Sequence, residues 1–351
     1  MKYRTHKLLA TPILASLLLA VLLVSKGLPA VGQKSQALSL ETRIVLPNVQ
    51  GRIDHFSVDV PGQRLFMAAV DNHTLEVIDL KSNKQIHTIA DLAEPQGVFY
   101  DSATNLLYVA CGGDGRTNIY DGSTFKLVAS WKFPADADNI RYDARDRLVV
   151  VGYAGGKHVF GMHEEGTGAL GFLDAKGKLI KEIGIDAHPE SFQLENPGTR
   201  IFVNVPDKQE IEVIDLAKNT AVARWPVKTA RDNFPMALDE THHRLFVGAW
   251  APPRVLVFDT GTGRQVASVA ISGKTDDLFY DASKARIYVL ADAGALYVIQ
   301  QDDADHYHRI AQYATPQGAE TGLFVAGWGK LFAGVWGRKN QPAEILVYQT
   351  R

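Results

Sequence analysis

A hydrophobic pair of residues recurs along the chain at nearly constant spacing, and this repeat restricts the fold more than any other feature of the sequence. The pairs are Leu65-Phe66, Leu107-Tyr108, Leu148-Val149, Ile201-Phe202, Leu245-Phe246, Ile287-Tyr288 and Leu331-Phe332. The second residues of successive pairs lie 42, 41, 53, 44, 42 and 44 positions apart. A period in this range is typical of propellers and other arrays of repeated units. The chain therefore contains seven copies of one unit, and the third copy carries an insertion.

Each copy contains short runs rich in Val, Ile, Phe and Tyr that are separated by turn residues, a pattern that predicts successive β-hairpins. In the first copy, four strands are predicted over 53–59, 64–70, 74–80 and 84–90. No stretch has the 3.6-residue periodicity of a long helix. A four-stranded unit without a covering helix exposes its edges and a face, and radial packing of seven units covers them. We therefore predict an all-β fold, a seven-bladed β-propeller of four-stranded antiparallel blades.

The two ends of the repeat array are incomplete in complementary ways. The last copy ends after its third strand, at 344–349, whereas a strand at 40–46 precedes the first copy and has no partner within it. We predict that this N-terminal strand completes the last blade and closes the ring. The predicted organisation is a linker over 33–38 and a single propeller domain over 39–351.

The first 32 residues have the pattern of an export signal. Lys2, Arg4 and Lys7 precede an apolar run of 17 residues at 8–24, and small residues follow at Ala30 and Gly32. Residues 1–32 are therefore predicted to be a signal peptide. An uncleaved anchor is the alternative, because a run of this length is at the lower limit for a membrane span. The rest of the chain is expected to be periplasmic or extracellular, without a membrane span in the mature chain if the signal is cleaved.

Charge and cysteine content restrict the partners of the mature chain. The full sequence has a formal net charge of −2, and removal of 1–32 takes away four positive charges and no negative ones, which leaves −6. This acidic balance argues against nucleic acid as a partner. Cys111 is the only cysteine and has no partner for an internal disulfide. The propeller is expected to be a monomer that is stabilised by packing alone.

Several strand segments resemble the YVTN-type bacterial β-propeller repeats. The segments are Leu107-Tyr108-Val109, Ile201-Phe202-Val203-Asn204 with 211–215, and Leu245-Phe246-Val247 with 255–259. The similarity extends over essentially the whole mature chain. It implies the propeller fold and leaves the activity open, because proteins of this kind include cell-surface, binding and enzyme-associated members.

The first strand of each propeller blade lines the central tunnel, so the start of that strand is expected at the tunnel mouth. Counting back five positions from the acidic turn of each copy gives one residue per blade. These residues are Asp54, Gln96, Asp138, Glu190, Phe234 and Asp276, with Glu320 or Thr321 in the last copy. The residues predicted to bind a ligand are the polar members of this group and two neighbouring histidines, namely Asp54, His55, Gln96, Asp138, His188, Glu190, Asp276 and Glu320.

Carboxylates that converge on one tunnel mouth repel one another, and burial raises their pKa values further. A Ca²⁺ or Zn²⁺ ion would compensate this charge. The predicted metal ligands are Asp54, Asp138, Glu190 and Asp276. In the alternative interpretation, water and the adjacent Arg52, Arg231 and Lys274 satisfy these groups. No other cofactor is predicted.

The insertion in the third copy, at about 155–168, is expected on the same face as the mouth, because extra residues in a repeat usually lie on the binding face. Its residues His158 and His163 are candidates for a lid over a ligand, and a mobile glycine-rich loop is the alternative. Equivalent loops of other copies carry candidate rim residues that would suit a flat or anionic ligand. These are Trp250, Arg254, Trp336 and Arg338, for which packing between blades is the alternative.

No catalytic motif with a known spacing occurs in the chain: the sequence lacks His-Glu-x-x-His, Gly-x-Ser-x-Gly and Cys-x-x-Cys-His. We therefore interpret the protein as an exported, non-catalytic binding or scaffold propeller of the cell envelope that holds a small ligand or an envelope protein. A metal-dependent, lactonase-like hydrolase is the first alternative, because a mouth-bound cation could polarise a carbonyl group. Binding of single-stranded DNA through the tryptophans and arginines of the rim is the second.

Overall fold

The structure is a computed structural model, and it describes residues 36–351 except 156–157, 160–161 and 164–165. The predicted signal peptide lies outside the described residues, as do the side chains of His158 and His163. Among the described residues, no helix has the length and apolar character needed to cross a membrane.

The described chain forms seven four-stranded antiparallel sheets, as predicted. After β1 (Leu38–Leu46), the first blade consists of β2 (Ile53–Asp59), β3 (Arg64–Ala69), β4 (Thr74–Asp79) and β5 (Lys84–Ile89). The second blade consists of β6 (Pro95–Asp101), β7 (Leu106–Cys111), β8 (Arg116–Asp121) and β9 (Leu127–Lys132). The third begins with β10 (Ala135–Asp143) and β11 (Leu148–Ala154), continues through the short hairpin β12 (His158–Val159) and β13 (Met162–His163), and ends with β14 (Gly168–Leu173) and β15 (Leu179–Ile185).

The remaining blades repeat the same order of strands. The fourth blade consists of β16 (Phe192–Leu194), β17 (Arg200–Val205), β18 (Glu210–Asp215) and β19 (Thr220–Pro226), and the fifth of β20 (Arg231–Asp239), β21 (Arg244–Ala251), β22 (Pro253–Asp259) and β23 (Gln265–Ala270). The sixth consists of β24 (Leu278–Asp281), β25 (Arg286–Ala291), β26 (Ala295–Gln301) and β27 (Tyr307–Ala314). The last contains β28 (Thr321–Val325), β29 (Lys330–Val335) and β30 (Ala343–Thr350). Single 3₁₀ turns occur at Pro206–Lys208 and Ala326–Trp328.

The recurring hydrophobic pair lies on the second strand of each blade, where both faces of the sheet are covered. Leu65 and Phe66 are both fully buried, and because neighbouring strand residues point to opposite faces, they enter different clusters. Leu65 packs in the cluster between the last and first blades, and Phe66 packs in the cluster between the first and second. Two adjacent apolar residues are therefore required at this position of every copy.

Strand β1 closes the ring as the outer strand of the last blade. It pairs antiparallel with β30, and the partners include Ile44 with Ile345 and Leu46 with Ala343. The strand begins at Leu38, and Ala37 before it is also buried. The predicted closure is confirmed.

The first strands of the blades surround one axis. A central cavity of about 470 Å³, which we call the tunnel cavity, is lined by residues of all seven first strands, β2, β6, β10, β16, β20, β24 and β28. The insertion of the third copy connects β11 to β14, so it leaves the blade at the end where these first strands begin. The arrangement places residues from distant parts of the sequence around one opening.

Candidate functional site

A second cavity, of about 160 Å³, lies where the first strands begin, and we call it the mouth cavity. Its lining residues are Arg52, Asp54, His55, Gln96, Asp136, Asp138, Asn139, His188, Glu190, Ser191, Phe234, Trp250 and Asp276. Seven of the eight residues predicted to bind a ligand are therefore brought together here.

The eighth, Glu320, lies outside the lining, and its backbone carbonyl accepts hydrogen bonds from the backbone N–H groups of Asp276 and Asp277 at 3.2 and 2.9 Å. The alternative residue of the last blade, Thr321, is buried, and its hydroxyl donates to the carbonyl of Ile53 at 3.1 Å.

His55 lies between the two cavities and lines both of them. Its Nε2 is 3.5 Å from Asp54 Oδ1, and its Nδ1 is 3.4 Å from Asp277 Oδ2. Burial alone would lower the pKa of His55, but the charges of Asp54 and Asp277 outweigh it and raise that pKa well above its ordinary value. His55 is therefore held as a cation among carboxylates. Asp277 belongs to a different blade and was not among the predicted residues.

His188 occupies a similar position on the other side of the mouth. Its Nδ1 is 3.5 Å from Glu190 Oε1, and its Nε2 is 3.6 Å from Asp136 Oδ2. Burial opposes protonation, but the hydrogen bond and the charge of Glu190 raise the pKa of His188 to about 9. At neutral pH this ring is also a cation, and it compensates part of the carboxylate charge.

Asp138 is another enclosed carboxyl group of the mouth, with 5% of its surface exposed. Burial, followed by the charge of Glu190, raises its pKa to about 7. Its Oδ1 is fully buried and accepts no hydrogen bond from the described residues, and the same holds for Oδ1 of the neighbouring Asn139. Oδ1 of Asp138 is 4.0 Å from His55 Nε2, which is too long for a hydrogen bond. Among the described mouth residues, these two acceptors lack donors, and His188 Nε2 also has no hydrogen-bond partner.

The carboxyl groups of the sixth and last blades are shifted toward the neutral acid despite the cations of the mouth. Burial, then the charge of Asp54, raises the pKa of Asp276 well above its ordinary value. Burial, then the charge of Asp292, raises the pKa of Glu320 to about 7. Arg52 compensates part of this charge, with Nη1 3.5 Å from Asp54 Oδ2. Uncompensated carboxylate neighbours favour binding of a positive or hydrogen-bond-donating ligand.

An aromatic wall closes one side of the mouth cavity. The rings of Phe234 and Trp250 stack with centroids 3.8 Å apart and an interplanar angle of 4°. The indole N–H of Trp250 donates to the carbonyl of Thr275 at 2.7 Å, and Lys274 Nζ lies 4.6 Å from the Trp250 ring centroid. These contacts hold Trp250 in one orientation, so the wall is preformed.

The other predicted rim residues do not line the mouth cavity. Arg254 lies on β22, and its Nη1 donates to Ser268 Oγ at 3.4 Å. Trp336 packs against the hydrophobic cluster between the last and first blades, which is the alternative considered for it. Arg338 is exposed and donates from Nη2 to the carbonyl of Gln317 at 3.1 Å.

Three lining residues escaped the sequence-based prediction, namely Asp136, Asn139 and Ser191. The pairing register of β10 with β11 shifts between Ala135 and Ala137 and again between Ala137 and Ile140. Such bulges place additional side chains toward one face of a strand. The polar run at 135–139 was the available signal, but its irregular register could not be derived from spacing.

A bound metal ion requires several ligand atoms close to one another. Among the described residues, only Asp186, Glu210 and Glu212 bring three ligand atoms within 4.8 Å of one another. Arg224 already occupies that place, with Nη2 2.6 Å from Asp186 Oδ2 and 2.9 Å from Glu212 Oε1. The mouth residues are interleaved with cationic side chains instead. A Ca²⁺ or Zn²⁺ ion at the mouth stays a prediction.

Comparisons with known proteins bear on the fold. No protein-family model matches the sequence, and no curated protein matches it. Among solved structures, a chain in the crystal structure of a mitotic checkpoint complex is similar, with a TM-score of 0.72 and 13% sequence identity. The match covers 97% of this chain and 99% of that chain. The likeness extends over the complete ring and shows the propeller fold.

Proposed function

We propose that the protein is an exported, non-catalytic binding propeller of the cell envelope that holds a small molecule in the mouth cavity. One observation carries this proposal: Asp138 lines the cavity, and its buried Oδ1 has no donor among the described residues. A buried acceptor without a partner costs about 1–3 kcal/mol, and a bound ligand with an N–H or O–H group would recover it. Placement in a YVTN-type family is part of the same proposal and is based on the repeats.

The shape of the site also supports binding. The mouth cavity is lined from several blades, and its aromatic wall is held by hydrogen bonds and packing. Binding sites are usually preformed concave cavities with a few convergent polar groups and apolar walls. The mouth cavity combines both kinds of surface.

The arrangement of Ser191 favours a binding role over a nucleophilic one. Its Oγ accepts a hydrogen bond from Arg141 Nη2 at 3.2 Å. The ring nitrogens of His188 are directed at Glu190 and Asp136, and a protonated ring cannot accept a proton from a hydroxyl group.

A protein partner at the same face is the second candidate. The solved structure that resembles this chain belongs to a protein complex, and propellers of similar shape can therefore support assemblies. The test is size-exclusion chromatography of the purified protein with the envelope fraction of its source, followed by mass spectrometry. Co-elution that is lost in the Asp138→Ala variant would favour the protein partner.

The small-molecule proposal is tested by thermal unfolding in the presence of a panel of amines, amino acids, sugars and organic acids. A ligand at a hundredfold excess over its Kd stabilises a protein by about 2.7 kcal/mol, which is a readily measured rise in Tm. We expect at least one compound to raise the Tm of the native protein and not that of Asp138→Ala. The matched control is Asp146→Ala, because Asp146 is exposed in the turn at the far end of β10.

The proposal is overturned if no compound raises the Tm and a high-resolution crystal structure shows only water bound to Asp138. A compound that stabilises the native protein and both variants equally binds elsewhere and also contradicts it.

A further inference from the structure

The lining of the mouth cavity contains more carboxyl groups than cationic groups. Its lining contains five carboxyl groups, on Asp54, Asp136, Asp138, Glu190 and Asp276, and three groups that carry positive charge, on Arg52, His55 and His188. The three cations are each placed beside carboxylates at 3.4 to 3.6 Å, so they are already engaged. The carboxyl groups of the lining therefore outnumber its cationic groups.

The acceptor that lacks a donor belongs to this excess. Asp138 Oδ1 is fully buried, and its nearest cationic partner, His55 Nε2, lies 4.0 Å away. Asp138 as a residue is 95% buried, since only 5% of its surface is exposed. Hydrogen bonds between an ionised acceptor and a charged donor are roughly twice as strong as neutral ones. A charged donor is thus the best match for this oxygen.

The aromatic wall adds a second requirement. Phe234 and Trp250 both line the cavity, and one ring of the pair, Trp250, already has the Lys274 ammonium group over it at 4.6 Å. The face of an aromatic ring attracts cations, and its apolar surface accepts alkyl groups. A ligand with a positive head and a short hydrocarbon part satisfies both the wall and Asp138.

We propose that the ligand of the mouth cavity is a small organic ammonium ion, which donates N–H groups to Asp138 and places its hydrocarbon part against Phe234. This inference rests on the proposed binding function and names the chemical class of the ligand. Reading the same cavity as a metal site is less consistent with the structure. No three ligand atoms of the described mouth residues lie within 4.8 Å of one another, whereas the three N–H groups of a primary ammonium ion can bond to separate acceptors and need no such convergence.

The test is isothermal titration calorimetry of the purified protein with ethylammonium and cyclohexylammonium. Their neutral counterparts, ethanol and cyclohexanol, have a similar shape without the charge. We expect the ammonium ions to bind at least about tenfold more tightly than the alcohols. This factor corresponds to one charge-assisted hydrogen bond, which the alcohols cannot form. The Asp138→Asn variant, which keeps the shape of the side chain, should weaken ammonium binding by about the same factor. The Asp146→Asn variant should bind like the native protein.

Three outcomes overturn the inference: equal affinity for the alcohols, absence of binding by both ammonium ions, or binding of Ca²⁺ or Zn²⁺ that is lost in Asp138→Asn. The proposed function is judged separately by the panel of the thermal unfolding experiment. If a neutral or acidic compound binds and depends on Asp138, only the ammonium inference fails. If nothing binds, both fail.

Discussion

At the scale of single residues, the mouth cavity shows how burial and neighbouring charges act on one carboxyl group. Asp138 is enclosed, and Glu190 lies among the charges that act on it, so both effects favour the neutral acid and raise its pKa to about 7. In the unfolded chain the same group has an ordinary pKa near 3.8. The folded protein therefore binds a proton more tightly than the unfolded one, and ionisation of Asp138 lowers the free energy of unfolding.

We predict that Asp138→Asn makes the ligand-free protein more stable than the native chain at pH 8. Asparagine has the shape of the neutral acid and does not ionise. The stability gained should be close to zero near pH 4, should grow between about pH 4 and pH 7, and should be constant above pH 7, on the order of a few kcal/mol. Urea unfolding at several pH values measures it. A difference in stability that does not change with pH would contradict the prediction, and Asp146→Asn is the control.

At the scale of elements, strand β1 pairs with a strand from the opposite end of the chain. It pairs with β30, and its buried side chains include Leu38, Ile44 and Leu46, whereas Val45 is 53% exposed. This alternation follows from the two-residue period of a strand with one covered face. Because Ile44 and Leu46 pack in the cluster shared by the last and first blades, β1 joins the two ends of the chain.

We predict that Leu46→Ala lowers the free energy of unfolding by about 2–5 kcal/mol, because it leaves a cavity in that cluster. The matched substitution Val45→Ala on the exposed face should change stability by no more than about 0.5 kcal/mol. Chemical denaturation followed by circular dichroism measures both. Equal effects of the two substitutions would show that β1 does not close the ring in solution.

At the scale of the whole ring, the hydrophobic core of the described residues consists of seven clusters, one between each pair of adjacent blades. Each blade thus shares one cluster with the blade before it and one with the blade after it. In an open array of repeats the end units are covered on one side only. The closed ring has no such ends, so the loss of one cluster exposes surface on both of its blades.

We predict a single cooperative unfolding transition for the ligand-free protein. Phe202→Ala, in the cluster between the fourth and fifth blades, and Phe246→Ala, in the next cluster, should each lower stability by about 3–5 kcal/mol without splitting the transition. Tryptophan fluorescence and far-UV circular dichroism should give coincident urea curves for all three proteins. Separate transitions for the two probes would mean that groups of blades unfold independently.

The sequence by itself determined the number of blades, the strand order and the closure by β1. These depend on local features, namely the alternation of apolar residues, the turns between them and the constant period. The same regularity placed Asp54, His55, Gln96, Asp138, His188, Glu190 and Asp276 at one opening, because equivalent positions of equivalent strands meet around the axis.

Only the tertiary structure decided how those groups are compensated. His55 lies between Asp54 of its own blade and Asp277 of another, and the bulged β10 brings Asp136 and Asn139 into the cavity. The structure also packs Trp336 against a core cluster, although its position in the repeat is equivalent to that of Trp250. Charge, burial and missing hydrogen-bond donors depend on distances across the ring. A one-dimensional repeat contains no measure of those distances, which arise only when the seven blades pack together.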